Sequence, residues 1–186
     1  MVRFEATSTE FDGLMSVRRK PAGDSRGFFS RFFCADEFRE LGFQGPVAQI
    51  NHTLTERRGT VRGLHFQRPP HGEIKVVSCL RGEVFDVAVD LRVESPTFLR
   101  WHGEVLSADN QRSLYIPQGF AHGFQTLTDA CELVYLHSAA HAPAAEGALN
   151  AIDPKLRIEW PLTISARSDR DLRHPMLTDA FAGLTL

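Results

Sequence analysis

Residues able to move protons or hold charge are written into strand-like apolar runs at several points of this 186-residue chain. The densest such stretch is Gly59 to Val77, GTVRGLHFQRPPHGEIKVV, which carries Arg62, His65, His71, Glu73 and Lys75. Lys and Arg are seldom buried without a partner. Basic residues among Val, Leu, Phe and Ile therefore either line a cavity or stand on the wet face of a strand. His65 sits between Leu64 and Phe66, and period-two alternation points it away from both. Imidazole titrates near neutrality and can take and return protons, although a strand histidine also serves as a hydrogen-bonded structural residue. Lys75 shares a face with Glu73 and Val77. Tyr135, in ELVYLHS, is one of two tyrosines against fourteen phenylalanines, a phenol oxygen where the chain otherwise writes Phe. His122 enters a strand from the turn residues of PQGFAHGFQTL, 117–127. A metal reading would draw on His65, His71, Glu73 and His122. Lys75 opposes it, because an ammonium among the ligands repels a divalent cation, and the expectation is no metal.

These groups need short strands to position them. From Val47 onward the chain reads as about ten strands, the clearest being VAQINHTL, TVRGLHFQ, EIKVVSCL, EVFDVAVDL, TFLRWHGEVL, RSLYIP, HGFQTL and CELVYLHS. Arg81-Gly82 reads as a tight hairpin and Asp109-Asn110 as a second turn. Close spacing of strands and turns argues for an all-β sandwich or barrel. Earlier, Gly13 to Arg19 reads as a strand, Pro21 to Gly27 as a loop and Phe28 to Cys34 as a second strand. Ala35 to Leu41 is the best helical segment, with Phe38 and Leu41 on one face and Gly42 placed to end it. The polar tail from Pro161 is expected to wrap the surface or cover the barrel mouth.

Composition limits the function classes. Twenty-one basic and 23 acidic residues give a net charge of −2, with no basic face for nucleic acid. No window approaches the 18 or so apolar residues of a membrane span, and the start lacks a secretory pattern. Three cysteines, Cys34, Cys79 and Cys131, without CxxC spacing read as buried thiols. A soluble cytoplasmic protein of one domain, residues 1–186, is expected.

Several motifs occur together: DSRGFF at 24–29, QINHT at 49–53, RGLHFQ at 62–67, the lysine of EIKVV, LRGEVFDVAVDLR, SPTFLRW, YIPQGFAHGF, LVY, EWP at 159–161 and SDRD at 168–171. In this order they resemble the dTDP-4-dehydrorhamnose 3,5-epimerase family of nucleotide-sugar epimerases, metal-free cupins, from about Gly13 to Pro175. The resemblance implies a cupin-type jelly-roll barrel with a few short helices. It also implies inversion of carbon 3 and/or carbon 5 of a nucleotide-linked 4-keto-6-deoxyhexose, without cofactor, in a homodimer. By resemblance His65 is the base, Asp171 the carboxylate that orients it, Lys75 the cation near the carbon 4 oxygen and Tyr135 the acid on the opposite face. His122 matches a second site histidine, Arg26 and Arg62 match diphosphate ligands, Phe29 a base-stacking aromatic, and Gln49 and Asn51 nucleotide neighbours. Arg26 and Phe29 could serve the partner's site in the dimer.

Two positions depart from the pattern. Arg31 stands where the family motif carries a glutamate that contacts the nucleotide, and His141 where a tyrosine often lies near the sugar and diphosphate. Another nucleotide, or inversion at a single centre, stays open on these grounds, with a metal-dependent cupin enzyme as the other alternative. His71 and Glu73 match no family role and read as loop and strand-edge residues.

Overall fold

The strand Glu83–Asp90 shows how the chain folds: its even positions Val84, Asp86 and Ala88 and its odd positions Val87 and Val89 are all fully buried, so it has a packed layer on each face. The computed structural model describes residues 3–186. In chain order the strands are β1 Phe4–Ser8, β2 Met15–Arg19, β3 Ala22–Asp24, β4 Gly27–Phe29, β5 Gln49–Thr55, β6 Val61–Gln67 and β7 Lys75–Arg81. They continue as β8 Glu83–Asp90, β9 Trp101–Ser107, β10 Arg112–Ile116, β11 Phe120–Thr126, β12 Cys131–His137 and β13 Glu146–Ala148, with helices α1 Ala35–Glu40 and α2 Asp169–Leu172.

Two antiparallel sheets face each other, one in the order β1-β2-β10-β7-β12-β5 and the other β13-β6-β11-β8-β9. Between them lies an apolar core that includes Leu14, Val77, Val84, Leu106, Leu133 and Phe124. The outer face of the five-stranded sheet is covered by Leu149, Leu156, Leu177 and Leu184 from the C-terminal segment. Phe38 of α1 packs with Phe4, Phe43, Val76 and Tyr115 against the outer face of the other sheet; full burial of one such ring contributes about 1.5–3 kcal/mol.

The all-β expectation holds, and all eight of the clearest strands from Val47 onward are present. Arg81-Gly82 is not a hairpin: β7 and β8 belong to different sheets, so the turn carries the chain from one layer to the other. A glycine suits it, since Gly82 adopts φ 74°, a conformation that costs other residues a steric clash. Asp109-Asn110 makes the same kind of crossing between β9 and β10. Near the start the sequence misleads more. Only Phe28 and Phe29 of the FFSRFFC stretch are strand, as the end of Gly27–Phe29, which pairs with Ala22–Asp24 inside the segment that reads as a loop. This β3-β4 hairpin forms its own two-stranded sheet, exposed along its whole length. A segment that packs on nothing in its own chain carries no burial pattern to read. The helix is where it was expected: it runs over Ala35–Glu40, Leu41 caps it, and Gly42 with φ 93° turns the chain away. Cys79 and Cys131 are buried, whereas Cys34 is partly exposed.

Candidate active site

A cavity of about 680 Å³ opens between the two sheets. Its wall on the six-stranded sheet follows strand alternation. β5, β12 and β7 are neighbours, with Asn51, Tyr135 and Val77 in one cross-strand row and Gln49, His137 and Lys75 in the next. Residues two apart on one strand share a face, so Gln49, Asn51, Thr53, Tyr135, His137 and Lys75 all line the cavity.

The facing wall departs from alternation. Arg62 and His65 are three positions apart on β6 and would point to opposite faces of a regular strand, yet both line the cavity. His122 pairs with His65 and Phe124 with Arg62, so Gly63 and Leu64 together oppose the single residue Gly123. This extra residue is a bulge that re-aims the side chains before it. Gly63 has φ 109°, and a Cβ there would lie 2.7 Å from both the Gly123 Cα and the His122 carbonyl oxygen. No other residue fits.

His65 places Nε2 2.8 Å from Oδ1 of Asp171, leaving Nδ1 without a protein partner among the described residues. The carboxylate arrives from the tail on α2, where Ser168 caps the helix by accepting the Asp171 N–H. His174 Nε2 reaches the same Oδ1 at 3.1 Å. Burial pushes the Asp171 carboxyl up, but the bond and charge of His65, the Ser168 bond and the Gly63 N–H outweigh it and hold it at about 2.

Across the cavity the Tyr135 hydroxyl lies 3.4 Å from Thr53 Oγ1, and burial raises its pKa above the ordinary phenol value. His122 is buried and bonded by Nε2 to both oxygens of the fully buried Asp86 at 3.0 and 2.9 Å. Burial pushes the Asp86 carboxyl up despite the opposing influence of His122. Lys75 pairs with Glu73 at 3.1 Å, and Glu73 accepts a 2.7 Å bond from His137 Nδ1. His137 Nε2 lies 3.3 Å from Asn51 Nδ2, so the ring bridges Glu73 and Asn51. Burial pushes the Glu73 carboxyl up, but His137 and Lys75 together hold it below its ordinary value.

Of the residues singled out in the sequence, His65, Lys75, Tyr135, Asp171, Gln49, Asn51, Arg62, His122 and His141 converge on this cavity. Arg26, Phe29 and Arg31 do not. Arg26 stands on the β3-β4 hairpin, bonded to Asp24, and Phe29 is 65% exposed beside it. The Arg31 guanidinium is paired with Glu37 at 3.2 Å. Glu73 corrects the sequence reading: it is no idle strand-edge residue but a nearly buried carboxylate that holds Lys75. His71 is exposed in the turn after Pro70. The metal-ligand set read from the sequence is therefore not assembled, since His122 and Glu73 face other partners and His71 lies outside. Among the described residues the ligand-type side chains that do cluster are His65, Asp171 and His174. His137, Thr53, Glu146 and Arg170 also line the cavity, although nothing in their residue type singles them out. Two of them were accessible from spacing: His137 lies two after Tyr135, and Thr53 two after Asn51.

A family model for dTDP-4-dehydrorhamnose 3,5-epimerase matches residues 8–179. The chain belongs to this family. The dTDP-4-dehydrorhamnose 3,5-epimerase of Salmonella typhimurium is 42% identical over 174 residues, 92% of this chain and 94% of that protein. The dTDP-4-dehydrorhamnose 3-epimerase of Streptomyces niveus is 39% identical over 91% of this chain and 82% of its own length. Among solved structures, the dTDP-6-deoxy-D-glucose-3,5-epimerase of Legionella pneumophila in complex with dTDP-4-keto-L-rhamnose superposes with a TM-score of 0.91. It is 38% identical and covers 98% of both chains. The fold of this epimerase family member is accordingly the cupin type expected from its motifs.

Proposed function

We propose that this protein is an isomerase that inverts carbon 3 and carbon 5 of a dTDP-linked 4-keto-6-deoxyhexose in deoxysugar biosynthesis. The observation that carries the reading is the placement of a His-Asp dyad and a buried tyrosine on facing walls of one cavity. The ketone at carbon 4 makes the neighbouring C–H groups removable as an enolate. His65 Nδ1 takes the proton, and Asp171, accepting the Nε2–H, stabilises the imidazolium and fixes the tautomer. Lys75 stabilises the charge that develops on the carbon 4 oxygen. Tyr135, kept protonated by burial, delivers a proton from the opposite face. His65 then carries a proton and Tyr135 lacks one, so both exchange with solvent before the next inversion.

Binding belongs to the other lining residues. Arg62 and, on the partner's side, Arg26 contact the diphosphate through the guanidinium fork; Gln49, Asn51 and Phe29 lie near the nucleotide, and His141 near the sugar. His122, locked on Asp86, positions the substrate. Pure protein incubated in deuterium oxide with dTDP-4-keto-6-deoxyglucose takes up deuterium at carbons 3 and 5; no uptake at either position sinks this substrate. Uptake at one centre only would select a single-centre epimerase, the activity named for the Streptomyces niveus relative.

We also infer that residues 1–186 are one epimerase domain and act as a cytoplasmic homodimer. Support comes from the exposed β3-β4 hairpin, with Phe28 67% and Phe29 65% exposed, and from β5. That strand is a sheet edge whose Ile50 is 63% exposed, and unpaired edges invite pairing. No helix among the described residues is long and apolar enough to cross a membrane. Mixing Arg26→Ala with His65→Asn protein restores activity if the arm serves the partner's cavity. Activity no greater than that of the separate variants rules that arrangement out.

A further inference from the structure

Two imidazoles converge on one carboxylate oxygen at the edge of the cavity, and proton transfer needs only one of them. His65 Nε2 and His174 Nε2 lie 2.8 and 3.1 Å from Asp171 Oδ1. Their rings are 5.5 Å apart between centroids and nearly perpendicular, at 89°. The three ligand atoms lie within 4.8 Å of one another. Four-coordinate zinc with bonds of about 2.0–2.1 Å sets its ligand atoms about 3.3 Å apart. The two nitrogen–oxygen separations of 2.8 and 3.1 Å thus need to open by only a few tenths of an ångström, while the two nitrogens, within 4.8 Å of each other, settle to the same spacing.

The donor set is two histidines and one carboxylate, which zinc accepts with a fourth position left for water. The ligands are also held from behind, as metal ligands are in built sites. His65 is fixed on β6. Asp171 has its N–H capped by Ser168, and its second oxygen faces the Gly63 N–H at 3.5 Å. The His174 carbonyl accepts a 2.9 Å bond from Asn150, which is itself held by Arg167 at 2.7 Å.

We propose that His65, Asp171 and His174 form an inhibitory binding site for zinc and similar divalent cations. The route to inhibition is a change of tautomer. With Asp171 as its partner, neutral His65 carries its proton on Nε2 and offers the Nδ1 lone pair to the cavity. A metal on Nε2 needs a lone pair on that nitrogen, so the ring proton moves to Nδ1 with none released, and the nitrogen facing the substrate can no longer accept one. The inhibitory consequence rests on His65 being the base; the binding does not.

The test uses the full-length protein, freed of metal by a chelator and titrated with zinc against a chromophoric chelator. Cobalt(II) serves in parallel as a visible-absorption probe of four-coordination. The expected result is one zinc per chain, an affinity lowered about tenfold or more in both His174→Ala and His174→Gln, and no change in His71→Ala. Circular dichroism and the melting temperature confirm that each variant is folded. In the deuterium assay zinc stops exchange, a chelator restores it, and His174→Ala requires correspondingly more zinc. Zinc bound equally tightly without His174, lost with His71, or not bound stoichiometrically overturns the site. Binding as expected with no exchange on any substrate would instead overturn the epimerase reading and leave the metal site standing.

Discussion

His65 Nε2 lies 2.8 Å from Oδ1 of Asp171, a carboxylate 106 residues further along the chain. The contact decides which ring nitrogen faces the cavity. Replacing Asp171 by Asn removes the charge that stabilises the imidazolium and allows the amide to donate to Nε2, which would leave the proton on Nδ1. We expect kcat to fall by about 10²–10⁴-fold, the usual worth of general acid–base catalysis, with KM little changed. His65→Asn should lose a similar amount, and the double variant little more, because residues that act as a unit are not additive. Rates of deuterium uptake at carbons 3 and 5 check this; a double variant worse by the product of the two losses would contradict the dyad.

Tyr135 and His65 come from different sheets, and in the proposed mechanism they act on opposite faces of the sugar. Tyr135→Phe should therefore uncouple abstraction from inversion, so that deuterium still enters through His65 with retained configuration. Net epimerisation should fall by about a hundredfold or more. Proton and deuterium spectra of the recovered sugar separate the two outcomes, and unchanged inversion would remove Tyr135 from the mechanism.

Lys75 and Glu73 make a second pair of predictions. Lys75→Met removes the proposed stabiliser of the enolate oxygen and should lower kcat about 10²–10³-fold. Glu73→Gln keeps the ammonium but loosens its placement and that of His137. Its loss should be smaller, about tenfold, as for outer-shell partners of a reacting group. Equal kinetics for wild type and Glu73→Gln would return Glu73 to the bystander status that the sequence suggested.

Stability has its own acid-sensitive element away from the cavity. Asp90 is fully buried and accepts bonds from Arg92 through both oxygens at 2.9 and 2.8 Å, from Ser95 at 2.6 Å and from Thr97 at 2.7 Å. Burial pushes its carboxyl up, but these bonds outweigh burial and hold it below its ordinary value. Asp90→Asn should cost about 2–3 kcal/mol at neutral pH, the scale of hydrogen bonds to a charged group. A depressed folded pKa means that the contribution is full above the unfolded value of about 3.9 and fades as pH falls through the folded value. The gap between wild type and variant in urea melts should accordingly narrow below about pH 4. A gap that stays constant into acid would deny the carboxylate this role.

Local chemistry made much of this protein readable. Residue type within strand-like runs singled out His65, Lys75, Tyr135 and His122, and the shared grammar of RGLHFQ, YIPQGFAHGF and SDRD carried the family and its fold. The β3-β4 hairpin escaped because no burial within the chain imposes a pattern on it. Arg81-Gly82 looked like a hairpin because a turn between strands reads the same whether it closes one sheet or crosses between two.

The sequence by itself determined the strand class and the residues equipped for proton transfer, because period and residue type are written locally. Only the tertiary structure decided who meets whom. The bulge at Gly63 and Leu64 puts Arg62 and His65 on one cavity, Glu73 turns inward to Lys75 and His137, and His174 joins His65 on Asp171. Each of these depends on pairing between distant segments, and long-range register leaves no mark in the local pattern of a strand.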